Sequence, residues 1–244
     1  IIMNIFFKKY DKSKLIIWDD FVLERSLNGT IYHTMNFLSY HKDRFNDCSI
    51  LIYDKNITNL IAVFPCCEVD GNYYSHKGST CGGIVILEKY YELNKLTEIM
   101  NTVYNYYQGK LFIKLSESVY FRNNIKNDLL NFILSQKCES YQDISLIFDL
   151  NKNDKIIDTF PKSRNKSLIK KYIKNPDNNI RFLVSDDIMD YKKYYEILNK
   201  NSYEKNNAKI IHTLDEFIFL KNKLGNKKFL FISKNNHNEI LSGG

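Results

Sequence analysis

No run of eighteen apolar residues occurs in this chain of 244 residues, so the sequence offers no membrane span. The N-terminus, Ile1-Ile2-Met3-Asn4-Ile5-Phe6-Phe7-Lys8, places its basic residue after a very short apolar stretch, the reverse of a secretory signal. Two residues precede the first methionine, which leaves the true start open. Five cysteines (Cys48, Cys66, Cys67, Cys81, Cys138) form no C-x-x-C, which excludes a zinc-type spacing and a paired disulfide framework. They read as reduced thiols, and the protein as cytoplasmic. Five histidines (His33, His41, His76, His212, His237) form no H-E-x-x-H. No metal is expected.

Glycine is equally scarce, at nine residues, and three of these lie in one segment. That segment is Ser75-His76-Lys77-Gly78-Ser79-Thr80-Cys81-Gly82-Gly83, which leads straight into Ile84-Val85-Ile86-Leu87. Glycine serves where backbone must come close to something or take a positive φ. The segment therefore reads as a polar, backbone-exposed loop at a strand end, a common place for a site. An ordinary surface loop with tight turns is the other reading.

What is present is a 44% apolar chain with 14% aromatic residues, including 18 tyrosines. It is large enough to bury a core without disulfide or metal staples, as one large domain or two ordinary ones. Charge separates the halves. Residues 1–150 carry 16 basic and 17 acidic side chains, whereas residues 151–244 carry 19 and 11. The shift suggests two modules, the second facing an anionic partner or simply having a solvated basic face.

Periodicity gives an alternating order. Trp18 to Ser26 and Thr34 to Tyr40 read as helices. Cys48 to Tyr53, Leu60 to Glu68 and Asn72 to Ser75 read as strands of one antiparallel meander. Leu93, Leu96, Met100, Val103 and Tyr107 recur at helical spacing, with Gly109 as the stop. Leu111 to Ile113 is a buried strand, Leu129 to Leu134 a helix, and Ile144 to Phe148 the strand that closes the first module. In the second half, Pro161 suits the first turn of a helix. From Lys162 to Lys174 there are six basic residues and no acidic ones, with Leu168, Ile169, Tyr172 and Ile173 on one arc. Pro176 and Asn178-Asn179 end it. Strands follow at Ile180 to Val184, Phe229 to Ile232 and from Glu239. Helices follow over Ile188 to Leu198 and Leu214 to Leu224.

Four segments carry a resemblance in order along the chain. They are Asn28-Gly29-Thr30-Ile31-Tyr32-His33-Thr34, the segment from Ser75 to Gly83, Phe160-Pro161-Lys162-Ser163-Arg164-Asn165-Lys166, and His212-Thr213-Leu214-Asp215-Glu216-Phe217. Together they resemble FemAB-like transferases, which are built from tandem acetyltransferase-type (GNAT-like) modules. The resemblance implies an α/β (α+β) fold with mixed, largely antiparallel central sheets flanked by helices. Residues 1–153 would be the first module and 154–244 the start of a second, incomplete one. No R/Q-x-x-G-x-G/A cofactor segment occurs, which departs from acetyltransferase folds that bind acyl-CoA on a loop at a helix N-terminus.

The activity implied is acyl or aminoacyl transfer to an amine on a sugar or peptide precursor of the cell envelope. The donor would be an acyl-CoA such as acetyl-CoA, or an aminoacyl-tRNA, and the acceptor a small or nucleotide-linked molecule. Such transfer needs a neutral amine, a base and donors for the oxyanion. His76 and His33 are the candidate bases; each also reads as a packing or surface histidine. Tyr32, Tyr74, Ser75 and the exposed amides of Gly82 and Gly83 are candidate substrate contacts. Arg164 and Lys166, with Lys170 and Lys171, are candidate phosphate contacts. Cys81 is a weaker nucleophile candidate. The alternative is a non-catalytic module that recognises a glycan, a nucleotide-sugar or another anionic ligand. Nucleic-acid binding through the basic half is a third reading, with no recognised motif behind it.

Overall fold

The computed structural model describes residues 4–41, 44–55, 59–108, 110–142, 144, 164–174, 176 and 179–244. The chain divides into two compact units, Ile1–Ser140 with Asn222–Leu224, and Tyr141–Lys221 with Gly225–Gly244. The expected boundary at 153/154, the Gly109 stop, Pro161, Asn178 and most of the strand expected from Ile144 lie outside the described residues.

Two five-residue strands form the centre of the first unit, β3 (Ile50–Asp54) and β4 (Leu60–Phe64). Every residue of both is buried. An antiparallel pair normally shows one wet face, so a continuous apolar run means that both faces are covered. Ile50, Ile52, Ala62 and Phe64 point to one side. There α3 (Leu93–Tyr106) lays down Leu96, Ile99, Met100 and Val103, and α4 (Asp128–Ser135) adds Leu130 and Ile133. Leu51, Tyr53 and Val63 point to the other side. It is covered by Trp18, Phe21 and Val22 from α1 (Leu15–Asp20) and its π-helical continuation, and by Met35 and Leu38 of the short α2 (Met35–Leu38). Each fully buried aliphatic side chain here contributes about 1.5–3 kcal/mol. The N-terminal run is β1 (Ile5–Lys9), paired antiparallel to β3, and the sheet order is β1-β3-β4-β7, with β7 at Val85–Ile86.

The single meander expected from the sequence is two sheets. Leu60 to Glu68 does not run as one strand. It ends at Phe64, and β5 (Cys67–Val69) belongs to a second sheet with β2 (Asn46–Asp47), β6 (Asn72–Tyr74) and β8 (Leu111–Phe112), in the order β2-β5-β6-β8. Pro65 sits at the break, where it has no N–H to give a ladder, and the Cys66 N–H donates to Ser49 Oγ at 3.0 Å instead. β6 and β8 pair in parallel. β8 is an edge rather than a buried strand, with Phe112 56% exposed. The helix expected through Tyr40 keeps only one α-turn before a 3-10 turn at Ser39–His41.

The second unit contains α5 (Arg164–Lys174), β9 (Ile180–Ser185), α6 (Ile188–Asn206), most of α7 (Leu214–Leu224), β10 (Leu230–Asn235) and β11 (Ile240–Gly243). Its strands form an antiparallel sheet in the order β11-β10-β9. Tyr191 of α6 packs on Leu230 and Ile232, with Leu183, Tyr194 and Ile240 around them. Thr213 opens α7 with a capping box, its hydroxyl accepting the Glu216 N–H while the Glu216 carboxylate accepts the Thr213 N–H. Among the described residues no helix is long and apolar enough to cross a membrane.

Candidate functional site

The glycine-rich loop after β6 is laced to the segment after β8. Ser75 N–H donates to Phe112 O at 2.8 Å, Lys114 N–H to Ser75 Oγ at 2.8 Å, and Gly82 N–H to Lys114 O at 2.7 Å. The amide of Gly82 is therefore engaged and its backbone buried, unlike the exposed amides expected from the sequence. The glycines of the loop face protein. A Cβ on Gly78 would lie 2.9 Å from His41 Nε2, and one on Gly83 would lie 3.1 Å from Leu115 Cδ2. Gly78 and Gly83 also have φ of 86° and 87°, a region that only glycine occupies at little cost.

His33 closes one side of the loop. Its ring is fully buried. Thr30 N–H donates to His33 Nδ1 at 3.1 Å, so Nδ1 is the acceptor nitrogen and Nε2 bears the proton. Nε2 lies 3.3 Å from both Gly82 O and Ser116 Oγ. Burial pushes the His33 pKa down to about 4, against the opposing effect of its hydrogen bonds with Gly82 and Thr30. The ring is a neutral clamp that ties the turn Ile31–His33 to Gly82. Behind it, Trp18 Nε1 donates to His33 O at 2.8 Å.

His76 starts the loop and has a φ of 78°, strained for a residue with a Cβ. It is 9% exposed. Its ring lies 5.4 Å from that of His41 and 5.9 Å, edge-on, from Phe45. Nδ1 is buried without a hydrogen-bond partner. Burial lowers its pKa to about 4 as well. The ring is thus neutral near pH 7 with a buried Nδ1 that has no partner, and its lowered pKa makes it a weaker base than one that titrates near the working pH.

The sequence candidates fall into two groups around this loop. Tyr32, His33, Ser75, Gly82 and Gly83 come together, with Ser79 Oγ donating to Tyr32 O at 3.3 Å. His76 and Tyr74 sit at the loop's start, where Tyr74 stacks on Phe112 at 4.9 Å and Lys77 Nζ lies 4.8 Å from the Tyr74 ring centre. Cys81 is buried and its Sγ lies 3.7 Å from Thr30 Oγ1. The side chains of Arg164 and Lys166 lie outside the described residues, whereas Lys171 and Lys174 of the same helix are exposed. Among the described residues no group of three or more His, Cys, Asp or Glu is arranged to hold a metal ion.

Sequence reasoning missed three neighbours of the loop. Thr30 shows a signal in retrospect, a threonine three residues before His33 at capping-box spacing. Asn28 and His41 show none. Asn28 is buried and bridges two backbone groups of the strand after the loop, Nδ2 donating to Ile84 O at 2.8 Å and Oδ1 accepting from Ile86 N–H at 3.1 Å. His41 meets His76 only through the fold.

No protein-family model matches this chain, and no curated protein matches it. Among solved structures it is similar to FemX, with a TM-score of 0.58 and 16% sequence identity. The likeness covers 93% of this chain, and the chain spans 58% of the length of FemX. At this identity the likeness shows the fold, a mixed α+β architecture of antiparallel sheets flanked by helices.

Proposed function

We propose that this chain is an N-acyltransferase of the FemAB-like kind, moving an acyl or aminoacyl group onto an amine of a cell-envelope sugar or peptide precursor. The observation that carries the reading is the fold shared with FemX over 93% of the chain. In this reading the amine lone pair attacks the acyl carbonyl of an acyl-CoA or an aminoacyl-tRNA. The amine proton passes to His76 Nδ1, which the loop must uncover, and from there to the departing sulfur or ribose oxygen as the acyl C–S or C–O bond of the donor breaks. His33 acts at one remove, by holding Gly82 and so the path of the loop. Tyr32 and Tyr74 would lie against the acceptor. In the second unit, taken by itself, the exposed Lys171 and Lys174 of α5 would suit the phosphates of an anionic ligand.

A second reading, a non-catalytic module that binds a glycan or nucleotide-sugar, is favoured by one observation. Both candidate bases are buried, and His33 has both ring nitrogens engaged. Calorimetry on the whole chain separates the two. Titration with acetyl-CoA and, separately, with a mixture of aminoacyl-tRNAs is expected to give saturable binding of one donor, weakened by salt in the tRNA case. Binding of a nucleotide-sugar with no response to either donor would sink the transferase reading and leave the binding module.

A further inference from the structure

Two of the thiols are set opposite each other by strand register. Ile50 pairs with Phe64 in one sheet, and Asn46 pairs with Glu68 in the other. Cys48 and Cys66 lie between the two ladders, outside the strands; continuing either ladder inward sets them across from each other, and Cys48 N–H donates to Cys66 O at 2.9 Å. Directly opposed antiparallel residues have Cα atoms about 4.5–5.5 Å apart. That lies inside the span of about 4.4–6.8 Å that a disulfide bridges without backbone movement.

The two side chains also share a face. Strand residues two apart point the same way, so Cys66 faces with Glu68, and Glu68 pairs with Tyr73. Cys48 faces with Asn46, which pairs with Glu68. Consistently, Cys48, Cys66 and Tyr73 belong to one apolar cluster together with Tyr107. Tyr107 donates its hydroxyl to Cys48 O at 2.6 Å. Cys67 points to the opposite face, where its Sγ accepts the Lys77 N–H at 3.2 Å. Chain neighbours though they are, only Cys66 shares the apolar cluster with Cys48, its Sγ donating to Cys67 O at 3.9 Å, while the Cys67 Sγ meets the Lys77 N–H.

We propose that Cys48 and Cys66 are an oxidisable pair, closed to a disulfide by hydrogen peroxide across the bend where one sheet gives way to the other. Cys48 is the partly exposed thiol and Cys66 the buried one. The Cys48 sulfur attacks the peroxide O–O bond, giving a sulfenic acid and one water. The Cys66 sulfur then displaces hydroxide from Cys48 Sγ, forming the S–S bond and a second water. Two thiol hydrogens and two electrons pass to the peroxide, which is fully reduced. Burial raises both thiol pKa values, that of Cys66 the more. Closure is accordingly slow at neutral pH and faster in alkali, because the thiolate is the attacking species. The bond would pin the end of β2 to the start of β5, which pairs in the same sheet with β6, the strand that delivers the Ser75–Gly83 loop.

The test is peroxide treatment of the whole chain, followed by alkylation of residual thiols, proteolysis without reductant and mass spectrometry. The expected product joins the Cys48 peptide to the Cys66 peptide and is reversed by dithiothreitol. It is absent from Cys48→Ser and unchanged in Cys67→Ser and Cys138→Ser. The oxidised wild type should also melt several degrees higher than its reduced form, and oxidised Cys48→Ser should not. Alkylation of Cys48 in full after peroxide, a Cys66–Cys67 link, or links only between chains through Cys138 would each overturn the proposal. Cys48 is partly exposed, so its serine variant is expected to fold, which circular dichroism checks.

Discussion

Gly82 lies against the carbonyl of Ser75 so closely that a Cβ at position 82 would collide with the Ser75 oxygen. The two residues are the ends of one loop, and the contact draws those ends together. Gly82→Ala must therefore push backbone apart in a region where Gly82 is also tied to Lys114 O and His33. It is expected to destabilise the first unit by ~3 kcal/mol. The fluorescence of Trp18, the chain's one tryptophan, follows that unit during urea unfolding. Gly71→Ala is the control: nothing lies within 4 Å of its added Cβ, and only its positive φ costs about 1 kcal/mol. Equal losses from the two variants would mean that the Ser75 contact yields freely.

Asn28 joins two backbone groups at the start of β7, donating to the Ile84 carbonyl and accepting the Ile86 N–H. Asn28→Ala leaves the Ile84 carbonyl and the Ile86 N–H buried and unpaired. An expected loss of about 2–4 kcal/mol follows, seen as a lower melting temperature. Asn28→Asp keeps the acceptor and removes the donor, so it should also lose stability, most of all where the new carboxylate is ionised. A wild-type melting temperature in Asn28→Ala would show that water replaces both bonds.

Burial holds His33 and His76 near 4, below the ordinary 6.5. Between those values the unfolded chain binds more protons than the folded one, so stability rises with pH. It is complete above about 6.5 and falls as the pH drops toward 4, each ring contributing on the order of 3 kcal/mol. His76→Gln removes one of the two protons. A plot of unfolding free energy against pH should be shallower for the variant in that window and parallel to wild type above it. Identical slopes would place the His76 ring in water.

In the second unit, Lys234 Nζ donates to both carboxylate oxygens of Asp190 at 2.8 Å, and Ser185 Oγ donates at 2.6 Å. Burial opposes the charged carboxyl, yet the bonds from Lys234 and Ser185 outweigh it and hold its pKa below the usual value. Lys234→Met strands a buried charge and should cost about 3–5 kcal/mol, whereas the double change with Asp190→Leu should recover most of the loss. A double variant no more stable than Lys234→Met would assign the effect to packing of the lysine stem. Because the folded carboxyl pKa is depressed, the pair's contribution is present above the ordinary carboxylate value and vanishes as pH falls through the folded one.

Much of the fold is written locally. The apolar runs Ile50 to Tyr53 and Leu60 to Phe64 could only be strands covered on both faces or a buried helix, and the turn-prone residues between them favoured strands. The spacing of Leu96, Met100 and Val103 decided a helix with one buried stripe. The glycine-rich loop was visible because glycine is otherwise rare here. Its meaning was not, since proximity to Ser75, His41 and Leu115 depends on chain folded far from each glycine. The break at Pro65 falls inside a run that reads as one strand from Leu60 to Glu68, and which sheet receives Cys67 depends on pairing with Asp47 and Tyr74. The histidines show the same division. Sequence selected His33 and His76 as polar groups beside a loop, and only packing turned one into a clamp with both nitrogens bound and the other into a buried ring with one nitrogen free. Periodicity and turn chemistry act over a few residues, so the sequence alone determined the elements. Desolvation, register and cross-strand opposition arise from residues distant in the chain, so the tertiary structure alone decided which of those elements meet and what their side chains can do.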